Sequence, residues 1–270
     1  MSRIDVKKTY KLFINGAFPR SESGRVYEVK NSKGQFIANP ALASRKDLRD
    51  AVVAARGACG GWNKSTTYLR GQILYRVAEM LEGRKDQFDA ELKAIGDKTK
   101  ISDAIDLIVW YSGWSDKISA LSGMTNPVSG PFYNFTTPEA LGVVGIVAKP
   151  NFLEFIDSLM SVIVSGNTSV VVASGLQAIP AMSFAEVLAT SDVPGGVVNI
   201  LTGNEAELSP WMASHMDING MDASGVKNLS EVKIAGAENL KRIHTFAKIK
   251  DPARILAFME VKTVWNTVGI

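Results

Sequence analysis

The spacing of apolar residues changes three times along the chain, and each change predicts a different kind of element. Near the start, Leu12-Phe13-Ile14 and Ala17-Phe18 flank Asn15-Gly16. That pair supplies the two positive φ angles of a type I′ turn, so a short hairpin is expected. Val26-Tyr27-Glu28-Val29 and Gln35-Phe36-Ile37-Ala38 around Asn31-Ser32-Lys33-Gly34 predict a second one. The spacing then becomes helical. Ser44, with Asp47 three residues on, forms an acidic capping box ahead of Leu48, Ala51, Val52 and Ala55. Gly57, Gly60 and Gly61 are expected to stop that helix. A second helix is predicted over 69–82, with Thr67 as N-cap and Leu69, Ile73, Leu74, Val77, Met80 and Leu81 on one face. Phe88, Leu92 and Ile95 carry a third. Residues 102–121 read as one longer helix that turns Ile105, Ile108, Val109, Trp110 and Trp114 inward.

The segment 126–138, NPVSGPFYNFTTP, combines Pro, Gly and alternating aromatics, the composition of an exposed ribbon. After it come three nearly continuous β-branched runs, 142–148, 169–173 and 196–201, such as strands buried on both faces require. Helical patterns over 153–164 and 182–189 separate them, and another over 205–215 follows. This alternation predicts an α/β fold with a doubly wound parallel sheet and right-handed crossovers. Periodicity then weakens over 221–236. Two short helical pieces are expected at 238–246 and 251–258, and a last strand at 259–267.

Composition excludes several classes. With 46% apolar and 21% charged residues the chain can build a sizeable core, so disorder is excluded. Thirty Lys and Arg against 27 Asp and Glu leave a net charge of +3, too small a surplus for a nucleic-acid footprint. The opening MSRIDVKKTYK lacks the apolar core of a secretory signal, and polar residues break the apolar stretch 156–173. A cytoplasmic protein with no membrane partner is therefore expected.

Candidate chemistry is sparse. The chain contains one Cys, Cys59, and two His, His215 and His244, which leaves nothing to form a disulfide framework and little for a metal site. Cys59, in Gly57-Ala58-Cys59-Gly60-Gly61, is expected at a helix C-terminus, where the dipole disfavours a thiolate, so it reads as a small buried residue. His215 at the end of a helix reads as a dipole partner, and His244 as a surface or packed residue. No glycine-rich dinucleotide fingerprint, P-loop, nucleophile elbow or zinc-protease motif occurs. What remains is the crevice beyond the carboxyl ends of the strands, where Lys149 and Asn151 begin one helix and Gly203 precedes another. Asn151 by itself reads as a helix N-cap.

Taken in order, these segments resemble the aldehyde dehydrogenase family. Leu12-Phe13-Ile14-Asn15-Gly16 resembles its first strand and turn. Arg70-Gly71-Gln72-Ile73-Leu74-Tyr75-Arg76-Val77-Ala78 resembles an early helix, and Trp114-Ser115-Asp116-Lys117-Ile118 the segment before its oligomerisation ribbon. The strongest stretch is 138–203, which holds PEALGVVGIVAKPNF, Gly166-Asn167-Thr168 and Pro194-Gly195-Gly196-Val197-Val198-Asn199-Ile200-Leu201-Thr202-Gly203.

The resemblance implies a nicotinamide cofactor, a nucleophilic Cys, a general-base Glu and an oxyanion-holding Asn. Asn151 matches that Asn, and Lys149, Asn151 and Gly203 are the degenerate cofactor positions. No Cys follows Cys59, so the covalent step has no nucleophile. The implied organisation is a dinucleotide-type domain over 1–125 and 139–246 and an oligomerisation element over 126–138 and 247–270. On this resemblance the family's catalytic domain is expected to be absent, with 220–246 joining the two ends. The family's ribose-contacting Lys and Glu are missing around Val172-Ala173-Ser174-Gly175-Leu176, and Glu205 and Asp222 would set carboxylates where a diphosphate approaches. No cofactor is therefore expected, with NAD(P) binding at most weakly. The implied role is an inactive structural or regulatory subunit, in a homo-oligomer or beside a full-length aldehyde dehydrogenase. The alternative is an NAD(P)-binding component that contributes to oxidation of an aldehyde to an acid.

Overall fold

In the computed structural model, which describes residues 6–269, the Asn15-Gly16 turn has φ angles of 53° and 75°. Ile14 and Ala17 exchange backbone hydrogen bonds of 3.0 Å across it. A Cβ on Gly16 would lie 3.3 Å from the Gly195 backbone, so the turn also needs a residue without a side chain. The second hairpin is β1 (Val29–Lys30) and β2 (Phe36–Ala38), closed where expected at Asn31–Gly34.

The Ser44 capping box forms: its hydroxyl accepts from Asp47 N at 3.3 Å, and Asp47 Oδ2 accepts from Ser44 N at 2.8 Å. The helix it starts, α1 (Arg45–Lys64), runs through all three glycines instead of stopping at them. Trp62 explains this. It is buried, and its ring N–H donates to Ile163 O at 2.9 Å, so tertiary packing at the last turn carries the helix past weak formers. Thr66, one residue earlier than expected, caps α2 (Thr67–Glu82). Next come α3 (Lys85–Ile95), α4 (Ile101–Trp114) and α5 (Ile118–Ser122).

The single helix expected over 102–121 is thus two. The chain bends at Ser115, whose hydroxyl turns back to Ser112 O at 2.9 Å. The buried residues of α4 are Ile101, Ala104, Ile105, Ile108 and Tyr111, an i, i+3, i+4, i+7 stripe, with Leu107 beside it. Val109 falls off that stripe and is exposed, and Trp110 and Trp114 are only half buried.

Next follow β3 (Met124–Asn126), β4 (Phe132–Ala140), β5 (Val143–Val147), α6 (Phe152–Ile163), β6 (Thr168–Ala173), α7 (Ala178–Ala189), β7 (Val198–Thr202) and α8 (Glu205–Ser214). Two further strands follow, β8 (Gly220–Asp222) where periodicity weakens and β9 (Arg242–His244) inside the segment expected to be helical, with α9 (Leu229–Ala237) between them. The helical piece expected over 238–246 is therefore wrong. Three-residue strands are too short to show a period in sequence. The chain then continues with α10 (Pro252–Leu256) and β10 (Met259–Thr267), both near their expected positions.

Five strands form one parallel sheet in the order β7-β6-β5-β8-β9, buried except at the β9 edge. Its β7 edge is covered: Phe13 exchanges hydrogen bonds with Ile200 at 2.9 and 2.8 Å, and Ala43 N donates to Thr202 O at 2.8 Å. The ribbon is a separate antiparallel sheet, β10-β4-β3, in which β10 pairs with β4 over nine residues, from Met259↔Ala140 to Thr267↔Phe132. Among the described residues, no helix is long and apolar enough to cross a membrane.

Arg254 of α10 ties the carboxyl-terminal segment to this core. Its guanidinium pairs with Asp157 of α6 at 3.0 Å and Asp222 of β8 at 3.1 Å, and donates to Ser158 Oγ at 2.7 Å. Both carboxylates are fully buried. Burial pushes the Asp157 carboxyl up, against the pull of Arg254, and Tyr111 donates its hydroxyl to it at 2.8 Å. Replacing Arg254 with Leu strands two buried carboxylates, so it is expected to lower unfolding free energy by about 3–5 kcal/mol in urea titration. A loss well under 1 kcal/mol would mean that the cluster does not hold the segment.

Candidate functional site

The carboxyl ends of β5 to β8 open onto a crevice of about 640 Å³. Ala148, Pro150, Ser174, Gly203, Glu205 and Lys227 are among its walls. The chain crosses β5 here so closely that a Cβ on Gly225 would lie 2.4 Å from Ala148 O, and Gly225 N donates to Val147 O at 3.0 Å. Of the three residues singled out in sequence, Gly203 lies in this crevice. Lys149 and Asn151 stand at the start of α6 and are turned elsewhere.

Asn151 caps α6: its Oδ1 accepts from Glu154 N at 3.0 Å. Its amide Nδ2 is spent as well, donating to Asp97 Oδ1 at 3.3 Å and Thr99 Oγ1 at 3.2 Å. The same two residues take the helix's free N–H groups. Phe152 N donates to Asp97 Oδ2 at 2.7 Å, and Leu153 N to Thr99 Oγ1 at 3.4 Å. A helix N-terminus attracts an anion because its first N–H groups lack partners and carry the positive end of the dipole. Here the protein supplies that anion itself. Asp97 follows Gly96, which ends α3 in the left-handed conformation, and Thr99 bonds back to the Asp97 carboxylate at 2.8 Å, so the plug is held in shape.

Lys149 is committed too. Its Nζ pairs with Glu154 at 2.9 Å and donates to Phe246 O at 3.1 Å. At α8, Asn204 accepts from Ala206 N at 3.1 Å, and Glu205 Oε1 accepts from Lys227 N at 3.2 Å, leaving a carboxylate in the crevice wall. Asp222 does not act as expected. It is not in the crevice but buried against Arg254, which neutralises it, so it cannot repel a bound diphosphate directly. The side-chain donors that remain among the described residues are Lys227 and the Ser174 and Tyr27 hydroxyls, both buried without a hydrogen-bond partner. One cation facing one carboxylate does not match a dinucleotide's diphosphate, so these residues do not fit that group.

The remaining candidates are structural. Cys59 lies within α1, half buried, not at its end, and it does not line the crevice. His215 is the C-cap of α8. Burial lowers its pKa, and its Nδ1 accepts from Asp217 N at 3.2 Å, which suits a neutral ring and not the cationic dipole partner expected from sequence. His244 packs between Phe246 and Phe258, and its pKa is lowered chiefly by burial. Among the described residues, no three His, Cys, Asp or Glu side chains gather as metal ligands do. Asp97, Thr99 and Arg254 are the site residues that sequence reasoning missed. Gly-Asp-x-Thr signals a capped loop, but nothing local shows that it seats on a helix more than fifty residues on.

The Aldehyde dehydrogenase family model matches residues 18–268. Cytosolic 10-formyltetrahydrofolate dehydrogenase of Xenopus tropicalis is 29% identical over 262 residues, covering 90% of this chain and 29% of that protein. Retinal dehydrogenase 2 of Gallus gallus is 32% identical over 270 residues, covering 94% of this chain and 51% of its own length. Among solved structures, an NAD+ complex of aldehyde dehydrogenase from Bacillus cereus superposes with a TM-score of 0.80 at 26% identity, over 88% of this chain and 50% of that one. The chain thus spans about half the length of the retinal dehydrogenase and under a third of the formyltetrahydrofolate enzyme. The parallel sheet is that of the dinucleotide-binding domain in this fold.

Asn151→Ala is expected to cost about 1 kcal/mol of stability, the worth of a side-chain cap, in a urea titration. A loss near zero would show that Asn151 is not held as a cap. The two histidines also predict a pH dependence. Each has a folded pKa below its unfolded value, so the unfolded chain takes up protons first as pH falls through about 6.5. Stability from these groups is therefore present above that pH and lost below it. A His215→Gln/His244→Gln variant should lose less stability than the parent between about pH 7.5 and 5.5, and an equal loss would refute the assignment.

Proposed function

Because the chain belongs to the aldehyde dehydrogenase family, we propose that it serves as a non-catalytic subunit, structural or regulatory, in an assembly built through its ribbon. The observation that carries this reading is the plug on α6. An Asn whose amide is already bonded to Asp97 and Thr99 has no donor left for an oxyanion, and the helix N–H groups beside it are filled. The absence of any Cys after Cys59 agrees with it, since the nucleophile that the family resemblance implies is a cysteine thiol.

The ribbon supports the assembly. Strand β10 pairs with β4 on one side only, and Val261 and Trp265 on it are 66% and 60% exposed. An unpaired strand with exposed large apolar side chains favours a partner strand. The partner is a second copy of this chain or a full-length aldehyde dehydrogenase, in the cytoplasm. The test is the native mass of the tagged chain recovered from its own cells, with its companions identified. A homo-oligomer or a complex with a full-length aldehyde dehydrogenase is expected; a lone monomer would overturn the proposal, as would aldehyde oxidation by the purified chain.

A second reading, an NAD(P)-binding component of an aldehyde oxidoreductase, is favoured by the unpartnered Ser174 hydroxyl in the crevice wall. The mismatch of charge around Glu205 weighs against it. NADH fluorescence is expected to stay flat on titration with the protein, and saturable enhancement at micromolar cofactor would restore the second reading.

A further inference from the structure

Away from the crevice, the chain before the first hairpin, the loop after it and β2 enclose a cavity of about 360 Å³. Its polar wall is cationic. Lys11, Arg20 and Arg25 line it together with Lys7 and Lys8, and among the described residues no carboxylate does. Among the described residues, the side chains of Lys11, Arg20 and Arg25 have no ion pair or hydrogen bond. The nearby acids have partners outside the cavity: Glu22 accepts from Ser44 Oγ at 3.2 Å, Asp47 belongs to the capping box, Glu186 pairs with Lys8 at 2.9 Å, and Glu91, whose charge reaches Tyr10, accepts from Gln87 Nε2 and Ser183 Oγ at 2.8 Å. The apolar wall is Tyr10, Val26 and Phe36. Burial pushes the Tyr10 phenol up to about 12, so it stays protonated and can donate.

Three unpaired cations facing one concave space repel one another and leave their donors to water. An anion placed among them relieves both. Guanidinium forks match phosphate oxygens in pairs, and a phosphate monoester, with close to two charges at neutral pH, answers three cations better than a single carboxylate does. The exposed Phe36 ring and the Val26 side chain would cover the body of such a ligand, and the volume lies in the range of small-molecule sites. We propose that this cavity binds a small phosphate monoester with an apolar or aromatic body, its phosphate held by Lys11, Arg20 and Arg25.

The test is calorimetric titration of the full chain with phenyl phosphate, inorganic phosphate and benzoate near pH 7.5. Phenyl phosphate is expected to bind saturably at one site and more tightly than benzoate. Arg20→Gln/Arg25→Gln should weaken it by about tenfold or more, and Phe36→Ala should weaken phenyl phosphate while leaving inorganic phosphate unchanged. An unchanged melting temperature shows that the arginine variant is folded. Should that variant fail to fold, Lys11→Gln carries the same expectation with a smaller loss. No saturation, benzoate binding as tightly as phenyl phosphate, or affinity indifferent to the arginines would overturn the proposal.

Discussion

Two carboxylates, Asp157 on α6 and Asp222 on β8, lie fully buried, and Arg254 is the charge that makes this tolerable. The guanidinium bridges both, stacks over Phe246 at 4.4 Å and donates to the hydroxyl of Ser158. Much else depends on this cluster. The two short strands β8 and β9 have only three residue pairs between them, and β10 must leave the core at the right point to meet β4 in register. Arg254 fixes α10, one residue pair before that exit. Arg242 of β9 adds a second tie, donating to Met259 O at 3.1 Å and pairing with Glu260 at 2.7 Å. A buried ion cluster adds little net stability compared with a well-packed apolar one, but breaking it is expensive. It specifies which way the last segment docks.

The same economy of charge shapes the crevice. Three helix starts are occupied by the protein's own groups: Asp97 and Thr99 at α6, Asn204 at α8, and Asn228, whose Oδ1 accepts from Glu231 N at 3.4 Å, at α9, whereas the turn at Ser174 leading into α7 has no side-chain cap. Lys149 is drawn to Glu154. The sheet and a ligand site depend on different things: the buried β-branched strands rest on apolar contacts throughout the sheet, whereas any ligand site at their carboxyl ends rests on a few N–H, hydroxyl and amide groups left without partners.

The sequence by itself determined the elements whose signal is local or strongly periodic. The Asn15-Gly16 turn, the Ser44 capping box, the three buried strands of the β-branched runs and the nine-residue strand β10 all follow from residue type and spacing, because turn angles, caps and two-sided burial are set by near neighbours. Family membership was legible for the same reason, in the ordered run from Pro138 to Gly203. Tertiary structure decided what depends on contacts distant in sequence. Trp62 carries α1 through three glycines, β8 and β9 exist only as additions to a sheet already formed, and Asp222 meets Arg254 thirty-two residues away instead of facing a ligand. The fate of Asn151 is the clearest case. Its role as a cap lies in its own turn of helix, but the loss of its free amide lies with Asp97, fifty-four residues earlier, and a hydrogen bond across that separation leaves no mark on either segment alone.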